Sequence, residues 1–198
     1  MISYQREKDA ILYITEQYKK NPAITTVTHR NFNRIDNFSA FLTASPAVGS
    51  WHPQLTVGVQ KQWAKIEHNG ETLQMDTPLF FCTLNNGIQL PYHWTLSTDI
   101  NFQSKGDYQN IYMYQNVFMM NATLTKSFLN EHLSIHLQGI DLTHGRKDGN
   151  RIYNKHMNMD VANVSDSREL RFTIRYKFNT AKSKYKGKGA ATEEIKRL

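Results

Sequence analysis

The chain has 198 residues, with 24 Lys and Arg against 17 Asp and Glu and a formal net charge of +7. Its length suits one domain with an ordinary core, and an aromatic content of 12% is too high for a disordered chain. The mean hydropathy of −0.59 excludes a bundle of transmembrane helices, and the single cysteine, Cys82, excludes an internal disulfide and a cysteine-based zinc cage.

The first residues, Met1 to Asp9, lack the apolar stretch and the small-residue cleavage site of a signal peptide. Taken literally, this start predicts a cytoplasmic chain. Strand-like alternation already begins at the second residue, however, which indicates a piece of a longer protein.

Alternation with a period of two runs along the chain and predicts β-strands. From Trp94 to Gln103, apolar or neutral residues alternate with polar ones without exception. The pattern predicts no helix and eight strands, at residues 2–17, 24–45, 53–67, 77–88, 93–103, 113–128, 133–142 and 168–178. The second strand is long enough to contain a bulge or break near Asn33 to Asn37.

The predicted connections differ in length. Short or middling ones fall at residues 45–53, 86–91 and 128–132, and long polar ones at 68–76, 104–110 and 143–169. Short turns at one end and long loops at the other are typical of an antiparallel meander whose two ends face different environments.

The strand faces decide between a soluble sandwich and a membrane barrel. In the last strand Arg171, Arg175 and Lys177 point to one face, which no soluble sandwich core would accept. Transmembrane strands need about 9 to 11 residues, with aromatic side chains gathered at both interfaces. The predicted fold is all-β, an antiparallel up-and-down meander of about eight long strands that forms part of a transmembrane β-barrel. The predicted aromatic girdle consists of Trp51, Trp63, Tyr92, Trp94 and Tyr176.

Several stretches, taken in order, resemble the C-terminal half of TonB-dependent outer-membrane receptors, most closely the outer-membrane β-barrel family common in Bacteroides-type bacteria. The stretches are Ser3–Ile11, Asn31–Asn33, Trp51–Trp63, Asn116–Phe128, Leu133–Leu142 and Asp166–Phe178. The resemblance implies an integral outer-membrane protein that takes up a scarce ligand such as a metal chelate, a glycan or a peptide. It also implies that Phe172, Ile174, Tyr176 and Phe178 form the closing-strand signal read by the barrel-assembly machinery.

Such receptors also carry a signal peptide, a plug domain and an N-terminal segment that engages TonB, and none of these is recognised in the sequence. The family's barrel has 22 strands, so the eight predicted here correspond to its last eight and imply a fragment that is inactive alone. The expected partners are outer-membrane lipid, the assembly machinery, the remainder of the barrel with its plug, and TonB only through the missing segment.

The domains expected are residues 1–178, the barrel portion, and 179–198, a basic periplasmic tail. The last eighteen residues hold six Lys or Arg against two Glu, a net +4 that leaves +3 for the rest. Such a tail could contact nucleic acid or anionic lipid by charge, but a solvated end is the favoured interpretation, and no nucleic-acid partner is expected.

Candidate catalytic chemistry is sparse, so no enzyme and no cofactor are expected. His132 and His136 would lie about 13 Å apart on a strand, too far for a shared metal. The loop from Thr143 to Asn150 fits no phosphate-binding pattern and predicts an exposed turn. Asp160, Asp166 and Glu169 could include a carboxylate pair, but their position in a solvated loop explains them equally well. Cys82 is expected to be a small apolar packing residue.

Two alternatives stay open at this stage. Eight strands can close into a self-contained barrel that acts as an anchor or adhesin, which would require carboxylates near Arg171, Arg175 and Lys177. A soluble β-sandwich that binds glycans through exposed tryptophans is the other alternative.

Overall fold

The structure, a computed structural model, describes residues 1–18, 20–68, 70–153 and 158–178. Regular structure in this part of the chain is β-strand throughout. The strands are β1 (Ile2–Tyr18), β2 (Asn21–Ala44), β3 (Trp51–His68), β4 (Glu71–Met75), β5 (Leu79–Leu90), β6 (Trp94–Gln103), β7 (Gly106–Tyr108), β8 (Ile111–Met113), β9 (Val117–Phe128), β10 (Leu133–Ile140), β11 (Lys147–Tyr153), β12 (Asn158–Val164) and β13 (Glu169–Tyr176). Within the described ranges, no helix is long and apolar enough to cross a membrane. The expected basic tail lies outside the described residues.

The main sheet is an antiparallel meander. Its strands follow the order β1-β2-β3-β5-β6-β9-β10-β13, and β4 pairs with the outer part of β3. This arrangement confirms the all-β fold with eight principal strands. The sheet is open, because β1 and β13 form its two edges and the described residues show no pairing between them.

The two ends of the main sheet differ, as the loop lengths predict. We call the end with residues 45–50, 91–93 and 129–132 the short-turn end. At the opposite, long-loop end, β1, β2 and β3 extend well beyond the other strands. Positive φ values at Tyr92 and His93, and at Leu129, Asn130 and Glu131, allow the chain to reverse sharply in two of the short turns.

A second, smaller sheet forms at the long-loop end, almost entirely from residues outside the predicted strands. Its one residue from a predicted strand is Met113, because the strand predicted at 113–128 is divided into the end of β8 and β9. Its order is β12-β11-β8-β7, so it joins the connection between β6 and β9 to the connection between β10 and β13. Ile152 of β11 pairs with Ile111 of β8 in this sheet. The long polar connections predicted at residues 68–76, 104–110 and 143–169 therefore contain strands that the sequence did not predict. The expectation of an exposed turn was wrong for Gly149, which is buried in β11.

In the hairpin of β1 and β2, the alternate residues of β1 that face inward are the odd-numbered ones before Asp9 and the even-numbered ones after it. Asp9 itself has a φ of 53°. Before Asp9 the odd-numbered residues share a face with the buried Ile35, whereas after it Ala10 and Leu12 are buried and Ile11 is exposed. The pairing of β1 with β2 keeps its register across this point. The irregularity predicted near residues 33–37 of β2 thus lies in β1, opposite Asn33.

The hydrophobic core lies at the long-loop end. Its buried members are Ala10, Leu12, Ile35, Ala64, Ile66 and Met75. Tyr112 and Tyr153 of the second sheet pack against this cluster. The core therefore fastens the second sheet to the extended β1–β4 region, while the apolar face of β13 stays exposed.

Candidate functional site

The register of the main sheet separates its side chains into two chemically different faces. One row of directly paired residues is Val57, Cys82, Phe102 and Phe118, and the next is Leu55, Leu84, Ile100 and Met120. A third row is Leu124, Leu137 and Phe172. These rows continue across the strands as one apolar face, and Cys82 lies within it.

The opposite face, which we call the polar face, is lined by amides and hydroxyls. One of its rows is Asn85, Asp99 and Asn121, and another is Thr123, Gln138 and Arg171. Neighbouring strands exchange side-chain hydrogen bonds here, such as Thr83 Oγ1 to Asn101 Oδ1 at 3.2 Å. A sheet with one apolar and one polar face is typical of a barrel wall between lipid and water.

The apolar face has the height of a membrane. Trp51 and Trp63 lie on the same side of β3, twelve positions apart. At about 3.3 Å per residue and a tilt of about 40°, they are separated by roughly 30 Å along the membrane normal. Pro53, Leu55, Val57 and Val59 fill the interval up to Lys61, the residue on this side before Trp63, so the distance between the two tryptophans is close to the hydrocarbon thickness of a bilayer.

The residues predicted for the aromatic girdle lie at two levels. Trp51, Tyr92, Trp94 and Tyr176 are at the short-turn end and Trp63 is at the long-loop end, all of them exposed. Trp51 Nε1 donates to Asn86 Oδ1 at 3.2 Å, and Lys126 Nζ lies 5.0 Å from the ring of Trp94. Their position at the membrane interface stays a prediction.

The predicted closing-strand residues follow one side of β13. Phe172, Ile174 and Tyr176 pair with Leu137, Ile135 and Leu133 of β10, respectively. Phe178 lies two residues beyond the end of β13, and its ring centroid is 4.6 Å from that of Tyr176. The four residues therefore form a continuous apolar edge at the short-turn end.

The β7–β8 hairpin crosses the polar face and creates two clefts. Gln62 Nε2 donates to Gln109 O at 2.7 Å, and Gln109 N donates to Gln62 Oε1 at 2.5 Å. A cleft of about 260 Å³ lies beside this contact, lined in part by Gln5, Gln60 and Tyr108. A second cleft, of about 360 Å³, lies between Gln103, Met119 and Arg146. Such clefts can hold a polar ligand by hydrogen bonding.

An aromatic pair interrupts the polar face near the first cleft. Phe41 and Phe81 both flank Gly58, and their ring centroids are 6.4 Å apart. A Cβ atom at position 58 would overlap the ring of Phe41. The glycine thus lets an aromatic ring lie flat against the strand.

A buried carboxylate, Asp141, accepts hydrogen bonds from the segment that connects β10 to β13. Asp141 has no exposed surface and accepts hydrogen bonds from the N–H groups of Gly145, at 2.7 Å, and Arg146, at 3.3 Å, and from Ser167 Oγ. Burial would raise the pKa of Asp141, but these hydrogen bonds outweigh it and keep the pKa below its ordinary value of 3.8. Sequence reasoning missed this residue because Asp141 and Ser167 are 26 positions apart.

The residues weighed for catalytic or metal chemistry are not brought together. His136 contacts Thr125 Oγ1 and Ser134 Oγ, whereas His132 lies in the turn before β10. Asp160 forms a two-point ion pair with Arg151, at 2.7 and 2.8 Å, and this contact lowers the pKa of Asp160. Glu169 pairs with Arg171 at 2.9 Å. Within the described ranges, no three His, Cys, Asp or Glu side chains form a group that could hold a metal.

The outer membrane protein beta-barrel family matches residues 1–176, which is nearly the whole chain. No curated protein and no solved structure matches the chain. Barrels of this kind serve typically in transport or as structural proteins. The two-faced open sheet agrees with the match, and the soluble-sandwich alternative is wrong. The chain belongs to the outer membrane protein beta-barrel family and is a protein of the cell outer membrane.

Proposed function

We propose that the chain is the C-terminal wall of a larger barrel that acts as a TonB-dependent receptor for nutrient uptake. The observation that carries the proposal is the open sheet, whose two edge strands are β1 and β13. Further strands would have to pair with these edges to close a barrel around the polar face. The apolar face would contact lipid, and the polar face would line the path of the ligand. The assembly machinery, the rest of the barrel and a plug are the proposed partners.

The space above the polar face supports a large barrel. The interior of an eight-stranded barrel is just wide enough for its own side chains or one small ligand. Here the polar face also accommodates the β7–β8 hairpin, which is held by Gln62, and two clefts beside it. A wide, water-filled lumen provides the room that this arrangement needs.

One observation favours the self-contained barrel. A small closed barrel needs carboxylates beside the cations of β13, and Arg171 has such a partner in Glu169. Both side chains are about half exposed, however, so the pair contributes little to stability and is compatible with a wet lumen.

An immunoblot of fractionated native cells tests the proposal, with an antibody raised against a peptide of residues 181–198. A band several times heavier than 23.0 kDa in the outer-membrane fraction is the expected result. A band of 23.0 kDa in the same fraction would favour the self-contained barrel. A soluble band would contradict both.

Cysteine cross-linking distinguishes the two barrels directly. In a Cys82→Ser background, Tyr4→Cys on β1 and Phe172→Cys on β13 are treated with a short bis-maleimide in outer membranes. We expect no intramolecular product, because these strands are the open edges of the sheet. The pair Leu137→Cys and Phe172→Cys is the positive control, since these positions face each other on β10 and β13. Efficient linkage of positions 4 and 172 would support a closed barrel.

A further inference from the structure

The apolar face becomes cationic at the long-loop end of β1, β2 and β3. Above Val59 the paired rows on this face are Tyr4–Phe38–Lys61, then Arg6–Asp36–Trp63, then Lys8–Arg34, with Lys65 next along β3. We call Arg6, Lys8, Arg34, Lys61 and Lys65 the basic patch. It begins at Lys61, one row before Trp63, where the continuous apolar part of β3 ends.

The arginines of the basic patch are held in place by one acid. Asp36 accepts hydrogen bonds from Arg6 Nε at 2.7 Å and Arg34 Nε at 2.5 Å, and also from Tyr4 Oη at 2.7 Å. The side chain of Asp36 is only 9% exposed, whereas those of Arg6 and Arg34 are 47% and 55% exposed. One carboxylate thus orients two guanidinium groups and leaves their pair with a surplus positive charge.

Two lysines, Lys61 and Lys65, add positive charge beside the ring of Trp63. Lys61 Nζ lies 5.3 Å from the ring of Trp63. A cleft of about 360 Å³ beside them is lined by Arg34, Asp36, Trp63 and Lys65. Two neighbouring acids have contacts outside the basic patch, since Glu67 is 3.7 Å from Arg30 and Asp76 accepts a hydrogen bond from Gln74.

The location of the basic patch determines which ligands it can bind. It lies on the outward face, so a ligand that passes along the polar face does not reach it. In outer-membrane barrels the long loops are extracellular, which puts the basic patch at the headgroups of the outer leaflet. Arginine forks and lysine ammonium groups are suited to phosphate, and a tryptophan is suited to the boundary between sugar and acyl chains.

We propose that the basic patch is a binding site for the phosphate-bearing sugar headgroup of lipopolysaccharide, the anionic glycolipid of the outer leaflet. Arg6 and Arg34 donate to phosphate oxygens, and the three lysines supply additional positive charge around the cleft. The proposal needs the outer-membrane location of the chain but not transport, a plug or TonB. Its failure would therefore leave the proposed receptor function intact, and the converse also holds.

The test measures binding of monophosphoryl lipid A to the full chain, folded in detergent micelles. The variant Lys8→Gln, Lys61→Gln, Lys65→Gln keeps the Arg6–Asp36–Arg34 contacts, so β1 and β2 stay paired. Because each cation near an anionic lipid surface contributes about 1 kcal/mol, the variant should bind at least about tenfold more weakly. The same lipid without its phosphate should bind the unchanged chain with a similar loss.

The control variant is Lys126→Gln, Arg171→Gln, Arg175→Gln. It removes the same charge from the short-turn end and the polar face, and its binding should equal that of the unchanged chain. Heat-dependent gel migration checks that both variants are folded. Equal binding of the two variants, equal binding of the lipid without phosphate, or displacement of the lipid by millimolar inorganic phosphate would each overturn the proposal.

Discussion

The ring of Phe41 covers Gly58, its directly paired neighbour on β3, so that a side chain at position 58 and this ring would compete for one space. Gly58 also pairs with Phe81 on its other side. Because Gly58 has no side chain, the rings of Phe41 and Phe81 can pack against the polar face at this position. This packing is compatible with the observed register of β2, β3 and β5 and not with a one-residue slip, which would move the rings or the glycine to the other face.

Replacing Gly58 by alanine should destabilise the protein. The Cβ atom displaces the Phe41 ring, and overpacking of this kind costs about 1–3 kcal/mol. The free energy of unfolding in urea, measured on the chain folded in lipid vesicles, gives the value. Gly87→Ala is the control, because Gly87 lies on the same face and its nearest neighbour, His52 O, is 3.9 Å from the new Cβ. Equal losses in both variants would show that Phe41 is not the cause.

Asp141→Asn should weaken the connection between β10 and β13. Its amide replaces one acceptor oxygen by a donor and leaves partners such as Gly145 N–H or Ser167 Oγ poorly satisfied, at a cost of about 1–3 kcal/mol. Asp160→Asn is the comparison, because the half-exposed Asp160–Arg151 pair contributes at most about 1 kcal/mol. Urea midpoints of the two variants at pH 7 should therefore differ, and an Asp141 variant as stable as the Asp160 variant would contradict the assignment.

The effect of Asp141 should depend on pH. Asp141 lies beyond the end of β10, outside the membrane-spanning strands, and its pKa in the folded protein is below 3.8. A lowered pKa gives a stabilisation that is complete well above about pH 4 and is lost as the pH falls through the folded value. The difference in urea midpoint between the unchanged chain and Asp141→Asn should be constant from pH 6 to 8 and shrink below about pH 4. A difference that grows in acid would have the wrong sign.

The main strands could be predicted because alternation is a local property. β6 was predicted at residues 93–103 and spans Trp94–Gln103, and β10 begins at Leu133 as predicted. The inversion at Asp9 could not be predicted, because Ala10, Ile11, Leu12 and Tyr13 are all apolar or aromatic and fit either face.

The second sheet and the basic patch depend on pairing between distant segments. β7 and β8 have three residues each, too few for an alternation to be recognised, and β8 pairs with residues nearly forty positions later. Arg6, Arg34 and Lys61 are on three different strands, and only the register aligns them. The Gln62–Gln109 contact escaped prediction for the same reason, since 47 positions separate the two residues.

Gln62→Leu should release the β7–β8 hairpin from the polar face. The leucine cannot replace the two hydrogen bonds to the backbone of Gln109, so the hairpin should open more often. Trypsin cleavage after Lys105, followed by mass spectrometry on the folded chain, should accelerate roughly tenfold, as the loss of about 1–3 kcal/mol implies. Gln60→Leu changes the same face two residues away without touching these hydrogen bonds and should cleave at the unchanged rate. Equal acceleration in both variants would show that Gln62 does not hold the hairpin.

Phe178→Ala should reduce insertion of the chain into the outer membrane several-fold while its synthesis continues unchanged. Phe178 is exposed beyond β13 and contacts Tyr176 at the short-turn end, where the assembly machinery is expected to recognise the closing strand. The amount of protein in the outer-membrane fraction, divided by the total amount, measures insertion. Phe118→Ala is the matched control, because Phe118 is an exposed phenylalanine on the same face of β9. If Phe178→Ala and Phe118→Ala insert equally poorly, Phe178 contributes only apolar surface. If Phe178→Ala inserts as well as the unchanged chain, Phe178 is not part of an assembly signal.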